Sequence, residues 1–145
     1  MIQFPLKFEV NASANFEVGA TWTAQTNSLA PLTCSIPPDF GGPGGGYTPE
    51  DLFALSVLNC MIAMFKIFCE KMKLKFEKVK GKAVVTMNQD PGINQISMTE
   101  IDITIDVTGA DQPEKARQVL EQAIKNCPIS NSIKTGKTFH LSVCG

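Results

Sequence analysis

Cysteine is the residue type in this chain best suited to chemistry, and it occurs at five positions. They are Cys34, Cys60, Cys69, Cys127 and Cys144. A cysteine thiolate can act as a nucleophile, be oxidised to a sulfenic acid, or pair with another cysteine in a disulfide. An odd number of scattered cysteines argues against a structural disulfide framework and indicates free thiols in a reducing compartment.

Two of the five cysteines stand in segments that matter for function. Cys60 lies in the middle of an apolar run, where a small buried hydrophobic residue is the simpler interpretation. Cys127 is followed by Pro128 and flanked by polar residues, so a short helical turn beginning at Pro128 would have Cys127 near its N-cap. Backbone N–H groups at such a position are expected to favour a thiolate.

The other motifs do not predict a metal, cofactor or phosphate site. No Cys-x-x-Cys spacing occurs, and the only histidine, His140, has no set of further ligands nearby, so neither a metal nor a cofactor is expected. The run Gly136-Lys137-Thr138 is similar to the end of a phosphate-binding loop, but Asn131 stands where that loop requires its first glycine. Cys69 is about half a turn around the helix from Cys60, so these two cannot pair.

Hydrophobic periodicity predicts the elements that position the cysteines. Alternating apolar and polar residues predict strands, and apolar residues spaced three and four apart predict helices. Along the single predicted domain, residues 1–145, we expect a β-hairpin at about 4–26, a Gly/Pro loop at 37–47, a central helix at about 48–72, strands at about 76–87 and 96–107, a helix at about 112–126 and a final strand at about 138–143. The order predicts an α+β fold, and the polar face of the 96–107 strand favours an antiparallel sheet.

The central helix has clear start signals and an unusual composition. Thr48 is a suitable N-cap, Pro49 suits the first helical position, and Glu50 complements the helix dipole. From Leu52 to Phe68 the helix is apolar almost all round, a pattern typical of a helix enclosed on every side. Since one small domain cannot easily supply that enclosure, a partner subunit is expected.

Composition and charge exclude several classes of function. The chain has 145 residues, 43% of them hydrophobic and 19% charged, with a net charge of -1. No basic stripe suggests nucleic-acid binding. The apolar stretch from Leu52 to Phe65 is shorter than the roughly 20 residues of a bilayer span, and the first residues show no secretory signal. We therefore expect a cytoplasmic protein that binds neither nucleic acid nor membrane.

Two motifs together resemble those of the OsmC/Ohr family. Residues 47–54 read Tyr-Thr-Pro-Glu-Asp-Leu-Phe-Ala and are followed by Asn59-Cys60, which resembles the segment that opens the family's central helix. Residues 126–131 read Asn-Cys-Pro-Ile-Ser-Asn and resemble the family's second cysteine motif, Cys-Pro-x-Ser-Asn. The spacing between the cysteines and the order of the elements also match along nearly the whole chain.

The resemblance implies an OsmC-like fold, with antiparallel sheets packed around a long buried central helix in an intertwined homodimer. It also implies a thiol peroxidase that reduces organic hydroperoxides. Cys60 would attack the peroxide and become a sulfenic acid, and Cys127 would resolve that acid as a disulfide, which a dithiol reductant reopens. The apolar residues around Cys60 would suit an organic peroxide.

The sequence departs from the family pattern at the group that should keep the first cysteine ionised. The family has an arginine there, held by a glutamate at the start of the central helix, and Glu50 matches that glutamate in position. Its role as dipole compensation remains an equal alternative. The only arginine is Arg117, within the predicted second helix, whereas the family's lies in the N-terminal strands or the following loop. Two hypotheses follow: an organic hydroperoxide peroxidase, or an OsmC-like protein that binds a small apolar ligand or serves another redox role.

Overall fold

A computed structural model describes residues 1–145, and its secondary structure is mixed α and β. The residues form two compact units, Met1–Leu52 and Phe53–Gly145, and each is described by itself. The first unit carries a small sheet and the Gly/Pro-rich loop. The second unit carries both cysteines of interest, a second sheet and the helices that cover it.

The first unit contains a three-stranded antiparallel sheet in the order β1-β2-β3. Its strands are β1 (Asn11–Ser13), β2 (Trp22–Gln25) and β3 (Leu32–Cys34). The predicted hairpin at 4–26 was therefore wrong in its extent, since residues 4–10 lie outside the sheet and β3 was not predicted. Residues 4–10 alternate as a strand would, but no strand of this chain pairs with them, and their side chains are exposed.

The Gly/Pro-rich loop is more ordered than its composition predicted. A 3₁₀ turn occupies Pro38–Phe40, and Tyr47 returns beside β3 through a hydrogen bond from its N–H to the Thr33 carbonyl at 2.8 Å. Gly42 is required by close approach, because a Cβ there would lie 1.8 Å from the Ile36 carbonyl oxygen. The loop thus ends as a defined connection to the central helix.

The central helix, α1 (Pro49–Met72), has sharply defined ends. At its start the Asp51 N–H donates to Thr48 Oγ1 at 3.1 Å and the Thr48 N–H donates to Asp51 Oδ2 at 3.0 Å, which is a capping box. At its end Lys73 has a φ of 55°. The N–H groups of Lys73 and Leu74 donate back into the last turn, to the carbonyls of Glu70 and Cys69, in a Schellman motif.

Helix α1 buries one face in the core of the second unit. Its buried residues recur at helical spacing and are Ala54, Val57, Leu58, Met61, Phe65 and Cys69. Leu55, Ile67 and Met72 are exposed. A single chain therefore encloses only one face of α1, and the other face is exposed. Helix α1 is long and apolar enough to cross a membrane. The core helix of a soluble protein can have the same length and composition.

The second sheet is mixed rather than purely antiparallel. Strands β4 (Lys78–Asp90) and β5 (Gln95–Thr108) form an antiparallel hairpin, as predicted, whereas β6 (Gly136–Val143) runs parallel to β5. Helix α2 (Pro113–Lys125) and the four-residue helix α3 (Pro128–Asn131) lie between β5 and β6 in sequence. A connection that includes a helix is what a parallel pair needs, so the α2 segment accounts for the parallel strand.

The core of the second unit joins α1, α2 and β5. Inward residues of β5 alternate along the strand as predicted, and Ile101, Ile103, Ile105 and Val107 are almost completely buried. From α2 the core takes Val119, Leu120 and Ala123, and from the segment before α3 it takes Cys127. These residues form an apolar layer against which the mid-part of α1 packs.

Candidate functional site

Cys60 lies at the middle of α1, on the side of the helix between its buried and exposed faces. It is partly buried and packs against the core of the second unit. Val57, one turn earlier, is fully buried and Met64, one turn later, is partly buried. Residues three and four apart share one side of a helix. Cys60 is therefore flanked by the apolar side chains of Val57 and Met64 and remains partly exposed to solvent.

Cys127 lies at the corner between α2 and α3 and is completely buried. It is the N-cap residue of α3, as the sequence predicted, with Pro128 at the first helical position. The Ser130 N–H donates to Cys127 Sγ at 3.4 Å. Ser130 was not identified as a site residue from the sequence, although its place in the Cys-Pro-x-Ser-Asn motif was the available signal.

The two asparagines of the second motif hold this corner in shape. Asn126 Nδ2 donates to the Gln122 carbonyl at 2.8 Å, and Asn131 Nδ2 donates to the Lys125 carbonyl at 3.0 Å. Both carbonyls belong to the last part of α2, and the Gln122 carbonyl also accepts from the Asn126 N–H at 3.0 Å. The asparagines therefore end α2 and position Cys127, and their role is structural.

The structure places Cys60 close enough to Cys127 to influence its protonation. Burial raises the pKa of Cys127 to about 11, with the hydrogen bond to Cys60 as the next cause, while the Ser130 and Ile129 N–H groups lower it. The backbone N–H groups at the N-cap act in the predicted direction, but burial outweighs them and the pKa is raised overall. Two backbone N–H groups do not offset the cost of burying the charge.

The raised pKa of Cys127 predicts a loss of stability in alkaline solution. The thiol has a pKa of 9.0 in the unfolded state and of about 11 in the folded state. Between these pH values the unfolded state therefore binds fewer protons than the folded state. Stability present below pH 9 is therefore lost as the pH rises toward 11. A pKa difference of about 2 corresponds to at most roughly 3 kcal/mol.

Urea denaturation at pH 8 and pH 11 measures this effect, with Cys127→Ala as the variant that lacks the group. We expect the unfolding free energy of wild type to fall more than that of Cys127→Ala. Equal losses in the two proteins would show that Cys127 does not hold its proton in the folded state.

Glu50 lies in the first turn of α1, where Asp51 rather than Glu50 completes the capping box. Its Oε2 atom is shielded from solvent and has no hydrogen-bond partner. The chain's only arginine, Arg117, forms an ion pair with Glu121 at 3.4 Å and donates to the Leu141 carbonyl at 3.2 Å. Glu50 therefore has a free acceptor atom, and no arginine of its own chain contacts it.

The remaining three cysteines are also free thiols. Cys34 and Cys69 are buried, and burial together with Asp111 raises the pKa of Cys69. Cys144 is exposed, and its thiol is 3.6 Å from the Val107 carbonyl. No group of three or more His, Cys, Asp or Glu side chains could hold a metal ion.

An open cleft of about 730 Å³ lies in the second unit beside the last part of α1. Its apolar lining comes from Ala63, Ile67, Leu74 and Phe76, and its charged groups are Lys66, Glu70 and Lys75. Cys69, not Cys60, is the cysteine in this lining. The cleft is large enough for a small organic molecule.

Comparison with known proteins gives one family and consistent structural neighbours. Residues 42–142 match the model of the family described as OsmC-like protein. An uncharacterized protein of Acinetobacter baylyi is 27% identical over 115 residues, which cover 75% of this chain and 74% of that protein.

Two solved structures share the fold over almost their whole length. An OsmC-like protein of unknown function from Vibrio cholerae has a TM-score of 0.81 at 15% identity, covering 94% of this chain and 99% of that one. An organic hydroperoxide resistance protein from Elizabethkingia anophelis has a TM-score of 0.77 at 19% identity, covering 97% and 99%. At 15% and 19% identity, this similarity shows a shared fold alone.

Proposed function

Because the chain belongs to the OsmC/Ohr family, we propose that it is a thiol-dependent peroxidase that reduces organic hydroperoxides in defence against oxidative stress. The observation that carries the proposal is the proximity of Cys60 and Cys127, which come from separate elements of the second unit and pack at the same core. Cys60 is partly exposed and Cys127 is fully buried. This difference in exposure suits a Cys60 thiol that reacts with the peroxide from solvent and a Cys127 thiol that reacts only with oxidised Cys60.

The proposed reaction has two steps. The Cys60 thiolate attacks the peroxide, the O–O bond breaks, and the products are a Cys60 sulfenic acid and an alcohol. The Cys127 sulfur then attacks the sulfenic acid, and a disulfide forms with loss of the hydroxyl group as water. An external dithiol returns both cysteines to the reduced state, so no bound cofactor takes part.

The surroundings of Cys60 support an organic substrate. Val57 and Met61 are buried beside it, and Met64 and Phe68 are partly buried on the core. An apolar environment binds an alkyl or aryl group through burial of apolar surface, worth about 25 cal/mol per Å². Hydrogen peroxide has no such surface and gains nothing from this environment.

We also propose a cytoplasmic homodimer. Leu55, Ile67 and Met72 of α1 are 37%, 43% and 49% exposed, and the apolar residues of the N-terminal segment are more exposed still. A second copy of the chain would cover these side chains. The five free thiols suit a reducing compartment. Sedimentation should give twice the 15.7 kDa chain mass, and a stable monomer at micromolar concentration would contradict the dimer.

Steady-state turnover with a dithiol reductant tests the peroxidase proposal. We expect kcat/KM for cumene hydroperoxide to exceed that for hydrogen peroxide by at least about tenfold, since one buried CH₂ group is worth about 0.8 kcal/mol. Equal or reversed values would contradict an organic substrate. No turnover with either peroxide would contradict peroxidase activity.

The second candidate is an OsmC-like protein without peroxidase activity that binds a small apolar ligand. It is favoured by Arg117 being engaged with Glu121 and Leu141, and by the cleft beside α1. Titration with an apolar fluorescent probe distinguishes the candidates. Binding that Ile67→Glu abolishes, in a protein that leaves peroxide unreduced, would favour this alternative.

A further inference from the structure

The reductive half of the proposed cycle leaves open which sulfur of the Cys60–Cys127 disulfide the external dithiol attacks. A thiolate cleaves a disulfide by attacking one sulfur while the other departs as a thiolate. The choice between the two sulfurs depends on access to each of them and on how readily its partner departs. In this protein the two factors favour different sulfurs.

Access to Cys127 from solvent is closed. Its side chain is 0% exposed, and it belongs to the core cluster that also contains Leu120 and Ala123 of α2. The corner between α2 and α3 therefore has to open before a thiol reaches this sulfur. An opening present in about one molecule in a thousand lowers the rate of attack about a thousandfold.

Cys60 keeps a path to solvent because α1 carries small side chains on one side of it. Residues three and four positions away flank a helical residue. On the exposed side of Cys60 these residues are Ser56 and Ala63, and both are exposed. The Ser56 hydroxyl donates to the Phe53 carbonyl at 2.7 Å, so it folds back onto the helix and leaves the path to Cys60 open.

The departure of the second sulfur favours the opposite choice, but its effect is smaller. Burial raises the pKa of Cys127 from 9.0 to about 11, and a thiol with a raised pKa departs more slowly. A Brønsted coefficient of about 0.5 converts this difference into a roughly tenfold lower rate. The Ser130 N–H donates to Cys127 Sγ at 3.4 Å, which reduces the penalty by stabilising charge on that sulfur. Access therefore outweighs departure.

Resting on the Cys60–Cys127 couple of the proposed function, we propose that the reducing dithiol attacks the Cys60 sulfur and that Cys127 departs. The dithiol reaches Cys60 between Ser56 and Ala63, on the exposed side of α1. The intermediate is a mixed disulfide at Cys60, with Cys127 as a free thiol inside the core.

The atoms and electrons of the two reductive steps balance. One thiolate of the dithiol attacks Cys60, the Cys60–Cys127 S–S bond breaks, and an S–S bond between Cys60 and the dithiol forms. Cys127 departs as a thiolate and takes up a proton. The second thiol of the dithiol loses its proton, attacks its own bound sulfur and closes a cyclic disulfide, which releases Cys60 as a thiolate. The dithiol is oxidised by two electrons, and the protein disulfide is reduced by two.

Trapping the first intermediate tests the proposal without any peroxide. Diamide, which oxidises neighbouring thiols, prepares the Cys60–Cys127 disulfide in Cys144→Ala, a variant that lacks the exposed cysteine of the chain. The oxidised protein is mixed with 2-mercaptoethanol and quenched with acid at successive times from milliseconds onward. Free thiols are then blocked with N-ethylmaleimide, and peptide mass spectrometry locates the mercaptoethanol adduct.

We expect the adduct on Cys60 to exceed that on Cys127 at least about tenfold at the earliest times. Equal shares, or a larger share on Cys127, would overturn the proposal. Failure of diamide to join Cys60 to Cys127 would overturn both the proposal and the couple on which it rests. Because the disulfide is made without peroxide, a lack of peroxidase activity leaves this result intact.

Ala63→Leu tests the path of approach and decides the question even where no adduct accumulates, with Ala63→Ser as the matched control. Leucine at position 63 covers the exposed side of Cys60, whereas serine keeps the side chain small. We expect the rate constant for disulfide reduction by dithiothreitol to fall at least about fivefold in Ala63→Leu and to stay within about twofold of wild type in Ala63→Ser. Equal rate constants in the two variants, both folded by circular dichroism, would overturn the proposal.

Discussion

Replacing Cys60 by serine should lower the turnover of cumene hydroperoxide by more than about a thousandfold, because a serine hydroxyl is not ionised at neutral pH and cannot take up the peroxide oxygen. Serine is close in size to cysteine, and position 60 is only partly buried, so the fold should persist. The measurement is kcat/KM in the dithiol-coupled assay, together with the thermal midpoint of unfolding.

Cys69→Ala is the matched control for this substitution. Cys69 lies on the same helix, is almost completely buried and is nine residues beyond Cys60, on the opposite side of the helix. We expect it to retain kcat/KM within a few-fold, although the substitution removes core volume and lowers stability. A Cys60→Ser protein that keeps turnover, or a Cys69→Ala protein that loses it while folded, would contradict the assignment of Cys60.

Phe65→Ala should lower the free energy of unfolding strongly. The Phe65 side chain is completely buried on α1 and stacks on Phe76 with ring centroids 5.1 Å apart. Truncation removes the transfer free energy of the ring and leaves a cavity, at a cost of about 3–5 kcal/mol. Urea denaturation at neutral pH measures the change.

Ile93→Ala serves as the control for Phe65→Ala. Ile93 lies at the turn between β4 and β5 and is 66% exposed. Its truncation removes an apolar side chain without opening a core cavity, so the cost should stay within about 0.5 kcal/mol. A Phe65→Ala cost below about 1 kcal/mol would mean that α1 is not fixed against the core as described.

Local sequence signals were sufficient wherever a structure depends on neighbouring residues. Thr48 and Pro49 marked the start of α1, which begins at Pro49. The alternation along β5 identified its buried side, and Pro128 indicated the short helix that Cys127 caps. Each of these features is set by caps, turns or side-chain periodicity within a few residues.

Features that depend on distant partners were predicted less well. Residues 4–10 carry a strand pattern but have no pairing strand in this chain, and the direction of β6 depends on the connection through α2. The apolar composition of α1 indicated an enclosure that one small domain cannot supply, and the chain itself covers only one face of the helix. A local pattern can indicate a strand or an enclosed helix, but it does not identify the segment that pairs with the one or covers the other.

The candidate site shows the same division. The motifs indicated Cys60 and Cys127, and the structure places the two residues near each other at one core. The N-cap position of Cys127 is visible in the sequence and its N–H groups lower the pKa as expected, but complete burial is not visible and raises the pKa by more. For Glu50 the motif indicated an arginine partner, but the only arginine belongs to a different ion pair.

The central claim is that Cys60 and Cys127 form a redox couple that an organic hydroperoxide oxidises. The most direct measurement is peptide mass spectrometry of the reduced protein after addition of one equivalent of cumene hydroperoxide, with thiols blocked at the end of the reaction. We expect a Cys60–Cys127 disulfide within seconds, and Cys34, Cys69 and Cys144 recovered as blocked thiols. Recovery of both Cys60 and Cys127 as blocked thiols, or a disulfide between either of them and another cysteine, would contradict the claim.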